Sequence, residues 1–171
     1  MKKKFLFLVL LIPMVTTCVN AQNFTMDELV NVLKAKSIEN AQGFLEKKGL
    51  TFVSVEEDDV FFKRIIYGYN PSSYNRAVCF VHLMLFTDFN GGFKLDHIAV
   101  STTQKHKYDE LLNTVKNTYG AKWIETITYS DNEIANFYHG KTMKFLFSTV
   151  RKWDDVREVY ITKYDIGLYC L

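Results

Sequence analysis

Between Ala77 and Thr103 the chain reads AVCFVHLMLFTDFNGGFKLDHIAVSTT. Two runs dense in β-branched and aromatic residues flank Asn90-Gly91-Gly92, and an Asn-Gly pair readily takes the positive φ angles of a tight turn. A long antiparallel hairpin is expected. With Phe89 paired to Gly92, alternation sends Val81, Leu83, Leu85, Ile98 and Val100 to one face. Phe80, His82, Met84, Phe86, Leu95 and His97 then take the other. A slip of one residue in either strand would exchange that strand's faces.

The start of the chain is an address rather than part of a fold. Lys2-Lys3-Lys4, an apolar run from Phe5 to Val15 and the exit Val19-Asn20-Ala21 are the parts of a secretory signal peptide, expected over 1–21 with cleavage after Ala21. The apolar run is too short to span a membrane as a stable helix. The second reading is lipidation at Cys18, although Val15-Thr16-Thr17 lacks the residues expected just before a lipidated cysteine, and the third is a retained membrane anchor. Export implies a secreted or periplasmic protein; lipidation implies one anchored through Cys18.

Removing 21 of 171 residues leaves 150, a single domain spanning 22–171. It also removes three lysines and no acid, taking the formal charge from +2 to −1. A near-neutral domain lacks the basic footprint that nucleic acid demands. With 48% hydrophobic residues and only two prolines, the chain is too apolar for a disordered segment. The remaining cysteines, Cys79 and Cys170, are expected either as a disulfide that pins the carboxy terminus or as two buried thiols.

Along the chain, Thr25 with Glu28 fits a capping box, and Leu29, Val32 and Leu33 follow at helical spacing. Ser37 repeats the start signal for a second helix through Ala41, Phe44 and Leu45, which Lys47-Lys48-Gly49 should end. Strands are expected at Thr51–Val55 and Val60–Tyr67, with Glu56–Asp59 as a polar turn between them. Gly68 to Arg76 reads as a loop. After the long hairpin come a helix from Lys105 to Tyr119 and strands at Trp123–Tyr129, Ile134–Tyr138, Met143–Val150 and Val156–Tyr164. A turn is expected around Trp153-Asp154-Asp155, and a short tail after Tyr164.

The second half resembles the first. Phe44 to Val53 lies over Val115 to Ile124 without a gap: helix, Gly stop, two residues, then an aromatic followed by a β-branched residue. Repeat halves 25–103 and 104–171 are expected from this self-similarity. Helices ahead of antiparallel strands, twice over, imply an α+β fold with the helices packed on one face of the sheet. The element order is similar to the tandem helix-then-four-strand architecture of the secreted β-lactamase inhibitor proteins. It also resembles the small domain of an outer-membrane assembly lipoprotein. No diagnostic motif carries either resemblance, and no binding residue transfers. Both imply a sheet whose helix-free face binds another protein.

Four histidines are present, His82, His97, His106 and His139. His82 and His97 should be diagonal neighbours on one face, with Met84 opposite His97. Two histidines and a methionine are a thin ligand set, so no metal or other cofactor is expected. Cys79 and His82 are three apart on a strand and point to opposite faces, which rules out a dyad within it. Glu56 to Asp59 lacks the alternating ligands and central Gly of a calcium loop. The chain has no Gly-rich phosphate loop, no Gly-x-Ser-x-Gly elbow and no His-Glu-x-x-His.

Aromatic residues are the more suggestive signal, because tyrosine offers large contact area at little entropic cost. If Val159 and Ile161 face the helices, Tyr160 and Tyr164 point away from them. The expected function is an exported, non-catalytic protein-binding or inhibitor-like module of the cell envelope. Its contacts would come from Tyr69, Tyr74, His82, His97, Tyr160 and Tyr164. The alternatives are a small secreted hydrolase whose site assembles only in the fold, or a structural envelope domain.

Overall fold

Local chemistry starts the helices where the sequence places them. In the computed structural model, which describes residues 24–58, 61–69, 79–88, 91–130, 132–155 and 158–171, helix α1 spans Met26–Ala35. The Thr25 hydroxyl accepts the Glu28 N–H and the Glu28 carboxylate accepts the Thr25 N–H, so two otherwise orphaned donors are satisfied. Helix α2 (Ile38–Lys47) begins on Ser37, whose hydroxyl accepts the Asn40 N–H. Gly49, at φ +79°, lets the chain turn out of it. Helix α3 spans Lys105–Asn117, and Gly120 follows at φ +57°. No described helix is long and apolar enough to cross a membrane. The segment expected as a signal peptide, Cys18 included, lies outside the described residues.

The described residues form eight strands, four before α3 and four after it: β1 (Thr51–Asp58), β2 (Phe62–Gly68), β3 (Cys79–Thr87), β4 (Phe93–Thr102), β5 (Lys122–Ser130), β6 (Glu133–His139), β7 (Met143–Asp154) and β8 (Val159–Cys170). All neighbours are antiparallel, in the order β1-β2-β3-β4-β8-β7-β6-β5. Two sequential meanders therefore meet at β4 and β8. The fold is a helix-plus-sheet mixture dominated by one sheet.

A single core lies between that sheet and the helices. Leu29, Val30 and Leu33 of α1, Ala41 and Leu45 of α2, and Leu111 and Val115 of α3 pack with Val81, Leu83, Ile98, Val100, Phe145, Phe147, Ile166 and Leu168. On the strands these residues occupy alternate positions, as burial of one face requires. At the ends of α3 and α1, the Tyr119 hydroxyl donates to Asp27 at 2.5 Å.

The long hairpin forms, with one correction. Near its base Val81 faces Val100 and Met84 faces His97, as Phe89–Gly92 pairing requires. At its tip the register has slipped by one: Thr87 faces Phe93, and the Asp88 N–H donates to the Gly92 carbonyl at 2.8 Å. The Gly91 N–H reaches the Asp88 carbonyl and Gly91 takes φ +78°, so the turn is one residue longer than a two-residue Asn-Gly loop. A β-bulge between Met84 and Leu85 absorbs the slip. Leu95 consequently faces Leu85 and joins the core, where the sequence placed it on the opposite face.

Other boundaries move outward. Glu56 and Glu57 belong to β1, not to a turn, and pair with Arg64 and Lys63 across the strand. Trp153 and Asp154 belong to β7. The expected tail is the largest departure: β8 runs on to Cys170 and is a central strand hydrogen-bonded to β4 on one side and β7 on the other.

That placement also decides the cysteines. Cys79 lies opposite Thr102, and Thr102 opposite Tyr164, whereas Cys170 is six residues further along β8, about 20 Å away at strand rise. Both thiols are free, and the Cys79–Cys170 bridge is not made. Burial raises the Cys79 thiol to about 12. The Cys170 sulfur sits 3.9 Å from that of Met143.

Candidate functional site on the helix-free sheet face

Because the sheet alternates, the side chains that do not enter the helix-covered core fall into rows on the reverse face. One row crosses all eight strands: Glu56, Arg64, Met84, His97, Tyr169, Lys144, His139 and Lys122, each opposite the next. The adjacent row is Ser54, Ile66, His82, Ala99, Gly167, Leu146, Phe137 and Glu125. Among the described residues no helix covers these rows.

The face buries part of itself. A Cβ at Gly68 would stand 3.1 Å from the Phe80 ring, and one at Gly167 would stand 3.0 Å from the Tyr169 ring. Both rings lie over a glycine, filling the gap a missing side chain leaves. Tyr169 is in turn stacked on His97, with centroids 4.7 Å apart, and Phe86 sits 5.9 Å from the same imidazole. Ile66 and Ala135 are fully buried on this face yet outside the main core. Met84, His97, Leu146 and Tyr169 stay half-exposed and Phe86 is exposed.

Beside the His97–Tyr169 stack lies a cavity of about 430 Å³, walled by Ile124, Glu125, Phe137, His139, Lys144 and Tyr169. Its size falls in the range of small-molecule and side-chain pockets. The Trp123/Glu125 bulge in edge strand β5 turns Ile124 into this wall. Sequence alternation alone would not have found it, since β5, β6, β7 and β8 must first be aligned.

Nearer the centre, Arg64, His82, Ser101, Lys163 and Asp165 occupy the same face. The Arg64 guanidinium donates to Glu56, and the Ser101 hydroxyl donates to Asp165. Burial raises the Asp165 carboxyl above its ordinary range, against the hydrogen bond from Ser101 and the charges of Lys163 and Lys152. Burial, then the charges of Arg64 and Lys163, lowers the His82 imidazole to about 4. His97 is also lowered by burial, opposed by Asp96. Because Ser101 bonds to Asp165 directly, Ser101, His82 and Asp165 do not form a nucleophile–base–orienter chain. Among the described residues no group of three His, Cys, Asp or Glu side chains is placed to hold a metal ion.

The sequence-derived candidates separate on this framework. His82 and His97 are diagonal neighbours on the helix-free face, with Met84 opposite His97. Tyr164 is not on that face. Its parity on β8 is that of Ile166 and Leu168, and its ring packs 5.0 Å from Tyr108 of α3. Tyr160 shares that side but lies beyond the helices and is 59% exposed. The expectation reverses these two because it starts the alternation from Val159 and Ile161, whereas Ile166 and Leu168 set the phase of the strand. Tyr69 follows β2 and its N–H donates to the Cys79 carbonyl; Tyr74 lies outside the described residues.

Tyr160 belongs to a separate feature. β6 pairs with β7 as far as Val150, where the Arg151 N–H still reaches the Asn132 carbonyl, and β4 with β8 as far as Tyr164, so Lys152–Asp154 and Val159–Thr162 extend beyond their neighbours as a two-stranded ribbon. Trp153 and Tyr160 lie opposite one another in an edge-to-face pair with centroids 5.0 Å apart, and Arg151 covers the Tyr160 ring at 4.7 Å. An isolated two-stranded ribbon is marginal in water, and these contacts are what hold it.

Comparison of the chain with protein-family models, with curated proteins and with solved structures gives no match.

Proposed function

We propose that this is an exported, non-catalytic binding module of the cell envelope that docks a protein partner on its helix-free sheet face. The observation that carries the reading is the 430 Å³ cavity walled in part by half-exposed Tyr169, on a face that also carries half-exposed Met84 and Leu146 and that no described helix covers. Recognition surfaces combine rigid aromatic anchors with a pocket for a protruding partner side chain. Tyr169, His97 and Phe137 supply the rings here, and Glu125, His139 and Lys144 supply a polar rim. His82, His97 and Asp165, which burial perturbs, are not in the cavity wall, and the one burial-shifted group that is, the Tyr169 phenol, is raised and so kept protonated, which favours recognition over acid–base chemistry.

Two further proposals accompany it. The back-to-back meanders, the first led by α1 and α2 and the second by α3, support a duplicated helix-plus-four-strand unit with halves 25–103 and 104–171. The likeness in element order to the secreted β-lactamase inhibitor proteins and the small assembly-lipoprotein domain rests on the same order. Export rests on residues 1–21 alone. Mass spectrometry of the mature amino terminus should find Gln22; a lipidated Cys18 would make the protein a membrane-anchored one.

The docking reading is tested by affinity capture from native envelope with the wild type, Leu146→Glu, Met84→Glu and the remote control Lys34→Glu. A protein captured by the wild type and the control, and lost in both face variants, is the expected result. Equal capture by all four would place the interface elsewhere and sink the reading.

A further inference from the structure

On the helix-free face, Arg64 of β2 and His82 of β3 are diagonal neighbours, since Ile66 is opposite His82 and Met84 is opposite Arg64. Diagonal positions stand about 7–8 Å apart, within reach of long side chains. Each carries a buried nitrogen with no hydrogen-bond partner among the described residues, Nε of Arg64 and Nδ1 of His82. Buried polar nitrogens are seldom left without partners; Arg64 Nε can only donate and His82 Nδ1 donates when the ring proton sits there, so one acceptor would satisfy both. Glu56 occupies the far end of the guanidinium, which fixes the group and leaves Nε unclaimed.

We infer that Arg64, His82 and Lys163 form an anion-recognition site that takes the carboxylate of an acidic side chain on the docked protein. This rests on the docking reading above. The local charges support it. Arg64, Lys163 and Lys152 face Glu56 and Asp165, leaving one positive charge in excess, while His97 has its own partner in Asp96. The charges of Arg64 and Lys163 both reach the His82 ring and disfavour its protonation. A single negative charge would offset that field. A carboxylate fits better than a phosphate dianion, because Asp165 lies on the same face and would repel the second charge. The planar edge of a guanidinium also matches a carboxylate.

The test follows the His82 ring by NMR in the full chain. Three probes are titrated: end-blocked hexaglutamate, end-blocked hexaglutamine and inorganic phosphate. Hexaglutamate should move the His82 signals saturably and raise the imidazole pKa by about one unit. Hexaglutamine should leave them unmoved. Arg64→Gln and Lys163→Gln, each checked for an intact fold by circular dichroism, should weaken the response roughly tenfold. A non-saturable response, an equal response in both variants, or tighter binding of phosphate than of hexaglutamate would overturn the assignment. If the capture experiment succeeds while His82 stays silent, the docking reading survives and the acidic anchor does not. If capture is indifferent to Leu146→Glu and Met84→Glu while His82 responds, the anion site stands and the docking face falls.

Discussion

His97 and Tyr169 lie directly opposite one another on β4 and β8, their rings stacked at 4.7 Å. This contact joins the two meanders on the face that the helices leave uncovered. It depends on Gly167, over which the Tyr169 ring lies.

Gly167→Ala should therefore be destabilising. The new Cβ would stand 3.0 Å from the Tyr169 ring and 3.3 Å from the Leu146 Cβ. Crowding of this kind costs about 1–3 kcal/mol. Adding Tyr169→Ala removes the nearer obstacle, so the double variant should be more stable than the sum of the singles. Urea unfolding of the four proteins measures that coupling, and strict additivity would show that the ring does not rest on the glycine.

Tyr160 and Tyr164 should part company. Tyr164→Ala opens a gap against Tyr108 and should cost about 2–4 kcal/mol, near the scale for truncating a packed aromatic. Tyr160→Ala should leave the melting temperature almost unchanged while faster amide exchange appears at Lys152 to Asp154. Equal thermal shifts for the two would contradict their placement.

Acidification should weaken the fold through His82. Its native pKa, about 4, lies below the unfolded value of 6.5, because the buried ring is desolvated and Arg64 and Lys163 stand near it. Above pH 6.5 neither state is protonated and no penalty exists. As pH falls from 6.5 towards 4 the unfolded state takes the proton first, and stability drops by up to about 3 kcal/mol. His97, lowered by burial, acts in the same direction, whereas Asp165, raised by burial, acts in the opposite one at the acid end. His82→Gln should flatten the slope between pH 6.5 and 5. An unchanged slope in that variant would assign the effect to another group.

The capping box gives a local control. Thr25→Ala removes the acceptor of the Glu28 N–H and should cost about 1 kcal/mol, with Thr25→Ser near wild type. Chemical denaturation resolves the difference; an alanine variant as stable as wild type would mean the α1 terminus is held by its other contacts.

How much of this was legible can be argued residue by residue. Thr25, Ser37 and Gly49 marked helix ends correctly because caps act over three or four residues. The base of the hairpin was legible because alternation is local, and the pairing of Met84 with His97 followed from it. The Leu95 error came from a bulge whose extra residue carries no signal of its own. β8 was cut short because Asp165 and Gly167 interrupt its apolar pattern. Those residues are tolerated in a central strand since Asp165 receives the Ser101 hydroxyl and the Tyr169 ring covers Gly167.

The sequence by itself determined the helix starts, the main hairpin and the mixed helix-and-strand class, because those depend on interactions between near neighbours. Only the tertiary structure decided which strand joins the two meanders, which side Tyr164 faces and where the cavity forms. Each of those depends on pairing between distant segments, where a shift of a single residue exchanges buried and exposed faces while leaving the local pattern unchanged.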